Sequence, residues 1–593
     1  MMTTPTSRPA SMPAPSPRRG LKAAFAAVLL AASAVSQAAA EAAPAADSLS
    51  GNYLAARFAN NQADMIESAR FFAEALADDP EDPFLLERTL ALSLAAGDIE
   101  EGIEVARRLV DVDDGNRLAA LSLGIGSIRA KDWTKAVETL KRANSGPLAG
   151  LTVEVLSAWS EAGAGNIDKA LARLDALKGE EWYAFFRAYH GGLIASVAGR
   201  DDDANRRLRQ AYELDDGAVR VIEALIRSLA RSGKPDEARQ VLNDAMERVP
   251  NHPLLIAVEN EIAGDRKPKP LVSTVHQGAA EILAGLGAAI ARDDTGELAA
   301  VYLQFALSLD PRADLARITL AEIFERSKQF EKSIELLAGV PDNSPLKRNA
   351  EIQVGFDYNS LDKVDDARAH LGALVEEDPS DLEAVMALGN VLRVRKMFDE
   401  AAETYTRGID TLDDPQPQHW TLYYNRGIAY ERTDRWPLAE GDFKTALKLR
   451  PDQPLVLNYL GYSWVDKGMN YVEALDMIEK AVELEPTDGY IIDSLGWVYY
   501  KLGRYEEAVQ QLERAVSLKA NDPTINDHLG DAYWRVGRKL EARFQWSHAR
   551  DLEPEPEDLE KILGKLTNGM TDPNAPAAAD ASGVPPATPP AQP

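Results

Sequence analysis

The chain contains no cysteine, which excludes disulfides, thiolate nucleophiles, cysteine-held zinc or iron–sulfur centres and lipid attachment at an N-terminal cysteine. Basic residues are outnumbered by acidic ones. The 65 Lys and Arg stand against 94 Asp and Glu for a net charge of −29, and Arg8, Arg18, Arg19 and Lys22 all precede the first acidic residue, Glu41. The rest of the chain therefore repels nucleic acid and anionic lipid, and no nucleic-acid partner is expected. Histidine is also rare, with 7 in 593 residues. They are scattered, and no metal site is expected from His528 and His548 or any other pair. Past residue 40 there is no apolar run long enough to cross a bilayer.

The first forty residues read as an export signal. Basic "SPRRGLK" leads into the apolar run 23–35, "AAFAAVLLAASAV", and then Ala38-Ala39-Ala40 supplies a small-x-small cleavage site. Cleavage after Ala40 predicts a periplasmic protein. The alternative is a chain anchored by an uncleaved signal, although the run is short of the roughly 20 apolar residues that a spanning helix needs.

What the sequence has in quantity is repetition. "NYLGYSWVDKGMNYVEAL" at 458–475, "DSLGWVYYKLGRYEEAV" at 493–509 and "DHLGDAYWRVGRKLEAR" at 527–543 share one frame. With the glycine of "LG" as reference, the positions run Gly287, Ala321, Gly355, Gly389, Gly427, Gly461, Gly496 and Gly530, spaced 34, 34, 34, 38, 34, 35 and 34. Earlier come Ala56, Leu90, Gly124, Ala158, Gly192 and Ile226, each 34 apart. Twelve residues after each reference, or thirteen across one insertion, stands a small residue, from Ser68 and Gly102 through to Ala508 and Ala542. Small residues there let two helices approach closely, where leucine would overpack by about 1–3 kcal/mol. Tyr430, Trp464, Tyr499 and Tyr533, three after the reference, are predicted to plug the space between the helices. Pro451, Pro486 and Pro554 mark helix ends, and Pro235 and Pro437 mark helix starts.

A period near 34 with this frame resembles the tetratricopeptide repeat family over residues 51–554. The resemblance implies an all-α fold, a right-handed α-solenoid of about fourteen two-helix repeats in two halves. The expected organisation is a signal at 1–40, a linker at 41–50, an N-terminal array at 51–250 and a proline-containing bend at 251–279. A C-terminal array at 280–554 follows, then a capping helix at 555–569 and a disordered Pro/Ala-rich tail at 570–593.

Motifs for catalysis are missing. The spaces between repeats are about thirty residues at most, too short for a catalytic domain. Ser360-Leu361-Asp362-Lys363 falls in an inter-helix turn without companion motifs. Asp111–Gly115 lacks the closing glutamate of a calcium loop. Gly124-x-Gly126 and Gly285-x-Gly287 lie within helices, away from any strand. No enzyme activity and no cofactor are expected.

Binding remains, and the family resemblance implies a groove lined by the first helix of each repeat. Its groove-facing positions select Tyr424, Tyr462, Asp493, Trp497, Tyr500, Lys501, Asp527, Trp534 and Arg535 as partner-binding residues, an aromatic ladder with polar handles. The alternative is that these aromatics pack against the neighbouring repeat or the capping helix. A narrower resemblance covers 420–550, which is similar to the last repeats of Gram-negative envelope adaptors that present cell-wall hydrolases to a carboxyl-terminal processing protease. It implies a non-enzymatic scaffold with protein partners of that kind. Those adaptors are lipid-anchored through a cysteine that is absent here, so contact with a membrane is expected only through partners or an uncleaved signal. The competing expectation is a structural subunit of an envelope assembly or export machinery.

Overall fold

The computed structural model describes residues 48–263, 267–292 and 296–570. The expected signal, nearly all of the 41–50 linker and the tail after Met570 lie outside them. The described residues form thirty α-helices and no strand, numbered α1 (Leu49–Asn61) to α30 (Pro556–Asn568) in chain order. Most pair off as an A helix that carries the reference position and a following B helix.

One pair shows why the sequence folds this way. Asp488 begins α26 (Gly489–Lys501) by accepting from the backbone N–H of Tyr490 and Ile491, which satisfies donors that a helix start leaves free. Gly503, at φ 76°, turns the chain. Glu506 and Glu507 then favour the N-terminus of α27 (Tyr505–Leu518). At the crossing, a Cβ on Gly496 would lie 2.6 Å from Leu512 Cγ. The small residues twelve or thirteen after the reference are buried throughout, Gly102 among them, and Ser68, Ala367, Ala508 and Ala542 have no exposed surface at all. The predicted plugs Trp464, Tyr499 and Tyr533 are buried. Their polar ends donate to Glu440, Glu479 and Glu513. Tyr430 is only half-buried.

Insertions are absorbed in turns. The extra residue between Gly461 and Gly496 sits before α25 (Tyr471–Leu484), where Asn470 takes a left-handed conformation. The four extra residues between Gly389 and Gly427 follow α21 (Phe398–Ile409) in a loop that includes the short 3₁₀ turn Pro417–His419.

The chain divides into two compact units, residues 1–361 and 362–593. The bend expected at 251–279 does not separate them. In unit 1, α14 (Val275–Ala291) packs on the A helices α7 (Pro147–Gly163) and α9 (Tyr183–Val197), and α15 (Gly296–Leu309) packs on the A helix α3 (Pro83–Ala96). The repeats referenced by Gly287, Ala321 and Gly355 thus belong with the first array and not with a separate C-terminal half. The reason is a specific seat. Arg88 forms two bonds to Glu297, and Tyr189 and Arg220 both donate to Glu281. Tyr302 meets Thr152 at 3.2 Å, and Gly278 lies against Trp159, where a Cβ would sit 2.2 Å from the ring. Unit 2 has its own core, built around Phe443, Trp464, Leu512 and Trp546.

Candidate functional site

In unit 1 part of the A-helix face is covered. Thr152, Trp159 and Tyr189 point into α14 and α15, so at these positions the chain itself fills the face. In unit 2 the corresponding side chains come from α24 (Pro454–Asp466), α26 and α28 (Pro523–Arg535), where residues spaced by three or four share one face.

At its centre, Trp497 is stacked between two neighbours: its ring centroid is 4.8 Å from Tyr500 and 4.0 Å from His528, both nearly parallel. His528 is buried and its Nδ1 lies 3.0 Å from both carboxylate oxygens of Asp493. Burial alone would push the imidazole down, but Asp493, with Asp527 and Asp531, more than reverses this and holds it above the ordinary value. Tyr500 accepts from Arg535 Nε at 3.2 Å, and the exposed Lys501 places its ammonium 5.1 Å from the Trp497 ring centroid. Trp497 Nε1, Asn458 Oδ1 and Asp527 Oδ1 are buried without a hydrogen-bond partner.

Other expected site residues lie elsewhere or are occupied. Tyr424 packs among Trp420, Phe443 and Tyr459, and burial pushes its phenol up to about 12. It belongs to the core between repeats. Tyr462 is half-buried, and its phenol is raised by burial and then by Asp493, Asp466 and Asp558. Trp534 packs at a tilt against Trp546, with ring centroids 5.3 Å apart, and donates to the Met570 carbonyl at 3.1 Å. Asp527 and Asp531 share Lys565 at 2.7 Å, and Asp531 also accepts from Trp546 Nε1.

His528 and Lys565 were not among the residues the sequence selected. Both carry a local signal: a polar residue where the frame holds a buried position, and a lysine in the last turn of a helix of otherwise acidic first-turn character. Among the described residues no cluster of ligating side chains is arranged to hold a metal, and no helix is long and apolar enough to cross a membrane.

Models of tetratricopeptide repeats match residues 198–261, 360–418, 398–454 and 496–537, coinciding with helix pairs in both units. The chain is a tetratricopeptide repeat (TPR) protein. A TPR repeat-containing protein of Pseudomonas aeruginosa is 26% identical over 193 residues, 32% of each chain, so the match spans about a third of that relative. Solved structures that align include the following two. The Cut9–Hcn1 hetero-tetramer of the APC/C covers 82% of this chain and 96% of its own at 16% identity and TM-score 0.36. A TPR protein of Parabacteroides merdae covers 42% and 98% at 17% and 0.36. TPR arrays of this kind are protein–protein interaction scaffolds, typically without catalysis, and protein partners follow from the repeats.

Proposed function

We propose that this TPR protein is a non-enzymatic adaptor of the bacterial cell envelope, that it is exported with cleavage after Ala40, and that it holds a protein partner on the A-helix face of unit 2. The observation that carries the reading is the Trp497 stack, flanked by Lys501 and backed by the Asp493–His528 pair. It leaves buried polar atoms of Trp497, Asn458 and Asp527 without partners, each of which is costly to leave unpaired. The similarity of residues 420–550 to the last repeats of envelope adaptors supports a carboxyl-terminal processing protease and its cell-wall hydrolase substrates as the partners. The export-like first forty residues support the compartment.

The test is affinity capture from an envelope extract with tagged wild-type chain beside Trp497→Ala, with identification of everything retained. The expected result is a processing protease and a hydrolase on the wild type and their loss from the variant, whose unfolding temperature stays within a few degrees. Equal retention by both chains moves the site away from Trp497. Recovery of export machinery in place of the protease replaces the adaptor with a structural subunit of that assembly.

A further inference from the structure

Helix α30 follows the last repeat and makes unusual contacts. Among its thirteen residues only Ile562 is buried, with Leu559, Lys565 and Leu566 half-covered on the same side and Lys561, Leu563 and Gly564 facing solvent. A single buried residue is a weak anchor beside the A helices of unit 2, which each bury seven or more. Yet its polar contacts are specific. Lys565 sits in the carboxylate pair Asp527/Asp531, and burial, which opposes its charge, is outweighed by those two acids. The Met570 carbonyl takes the Trp534 indole N–H at 3.1 Å, and Gly569, at φ 69°, passes so close to Trp534 that a Cβ would lie 2.3 Å from the ring. At its other end Glu555 pairs with Lys396 at 3.1 Å, and Asp558 is near enough for the Tyr462 phenol to feel its charge. The helix therefore runs along the face that carries Tyr462, Trp497 and Trp534.

Two features make α30 a stand-in. The face is acidic, with Asp493, Asp527 and Asp531 on it, so it demands a cation, and Lys565 supplies one. The fit is incomplete, because Trp497 Nε1 and Asp527 Oδ1 stay buried and unpartnered with α30 in place. We propose that the A-helix face of unit 2 is a receptor for an amphipathic helix carrying a lysine or arginine near its C-terminal end. Helix α30 is its resident occupant, and a partner helix of the same chemistry displaces it. The cation enters the Asp527/Asp531 pair, apolar residues one turn away cover Trp534, and polar groups of the partner reach the atoms that α30 leaves unpaired. This deepens the adaptor reading and rests on it only for the existence of a partner.

The test uses the full chain and a fluorescent synthetic peptide of its own residues 552–570. Lys565→Glu reverses the cation that holds α30, and Gly569→Val cannot fit beside Trp534, so the two variants free the face by independent means. Thermal unfolding monitors that each remains folded. Both variants are expected to bind the peptide at least tenfold more tightly than the wild type, whose face is occupied. A peptide with glutamine at the position of Lys565 is expected to lose most of that gain, and a scrambled peptide to show none of it. Equal binding by all three chains, no binding by any, or indifference to the peptide lysine overturns the proposal. Because no second protein is present, a failure here leaves the adaptor reading to be judged by capture, and a failure of capture leaves this receptor standing.

Discussion

In most repeats the reference residue is a glycine, and the side chain it packs against stands sixteen positions later, or seventeen for Gly461 and Ile478. A Cβ on Gly124, Gly192, Gly287, Gly389, Gly427, Gly496 or Gly530 would collide with Leu140, Leu208, Leu303, Tyr405, Phe443, Leu512 or Trp546 at 2.3–2.8 Å. One repeat inverts the sizes: the reference is the fully buried Leu90, and sixteen later stands Ala106. Gly496→Leu is therefore expected to destabilise unit 2 by about 1–3 kcal/mol through overpacking. Adding Leu512→Ala, which rebuilds the Leu90/Ala106 arrangement, is expected to restore much of that loss; chemical denaturation of the three chains measures both, and failure of the second change to help would sink the pairing. A second residue-scale prediction concerns the turns. Lys131 and Lys328 hold φ near 60° at the position that Gly503 and Gly537 occupy in other repeats. A side chain in that region costs about 1–2 kcal/mol, so Lys131→Gly with Lys328→Gly should raise the unfolding temperature of unit 1. The glycines and the small residues were legible in the sequence because they recur. The sixteen-position partner was not, because leucine, tyrosine, phenylalanine and tryptophan share only size.

At the scale of elements, the sequence located the helices, the capping helix of unit 2 included, but not what packs on the A helices of unit 1. The frame selects Trp497 and Tyr500, three apart on α26, and their rings stack 4.8 Å apart. It could not show that α14 and α15 pack on the A helices α3, α7 and α9 of unit 1, since Arg88 and Glu297 are 209 positions apart and neither has a local signature of the other. Removing that seat is expected to be costly: Glu281→Ala leaves Tyr189 without its acceptor and Arg220 with Glu223 alone, which should lower the stability of unit 1 by about 1–3 kcal/mol in denaturant titration. Between α26 and α28 the coupling is acid–base. His528 faces Asp493 from α26 and Asp527 and Asp531 from its own helix, while Lys565 of α30 partly neutralises the last two. Its raised pKa stabilises the folded state fully below the ordinary value of about 6.5, and that contribution disappears as pH rises through the folded value. Unit 2 is expected to melt at a lower temperature at pH 8 than at pH 6, and His528→Asn should flatten the difference. A slope unchanged by that substitution would place the dependence on another group.

For the whole molecule, the two units have separate cores, one built from residues 56–354 and the other around Phe443, Trp464 and Trp546. Calorimetry is expected to resolve two transitions, with Glu281→Ala moving one and Gly496→Leu the other; a single transition shifted by both would contradict two independent cores. The sequence placed this division at the 251–279 proline-containing bend because a break in period is visible there. The structure places it after Leu361, where the period is unbroken and only long-range packing tells the halves apart.

The covered face of unit 1 bears on stoichiometry. A fourteen-repeat array has enough surface for several ligands, but the chain uses α14 and α15 against α3, α7 and α9, and among the described residues it is the face in unit 2 that is held by a helix as lightly anchored as α30. Valence is then set by how many faces the protein leaves for others, and the repeat count no longer predicts it: one chain should take up one partner helix, and lengthening the first unit by further repeats should not add a second.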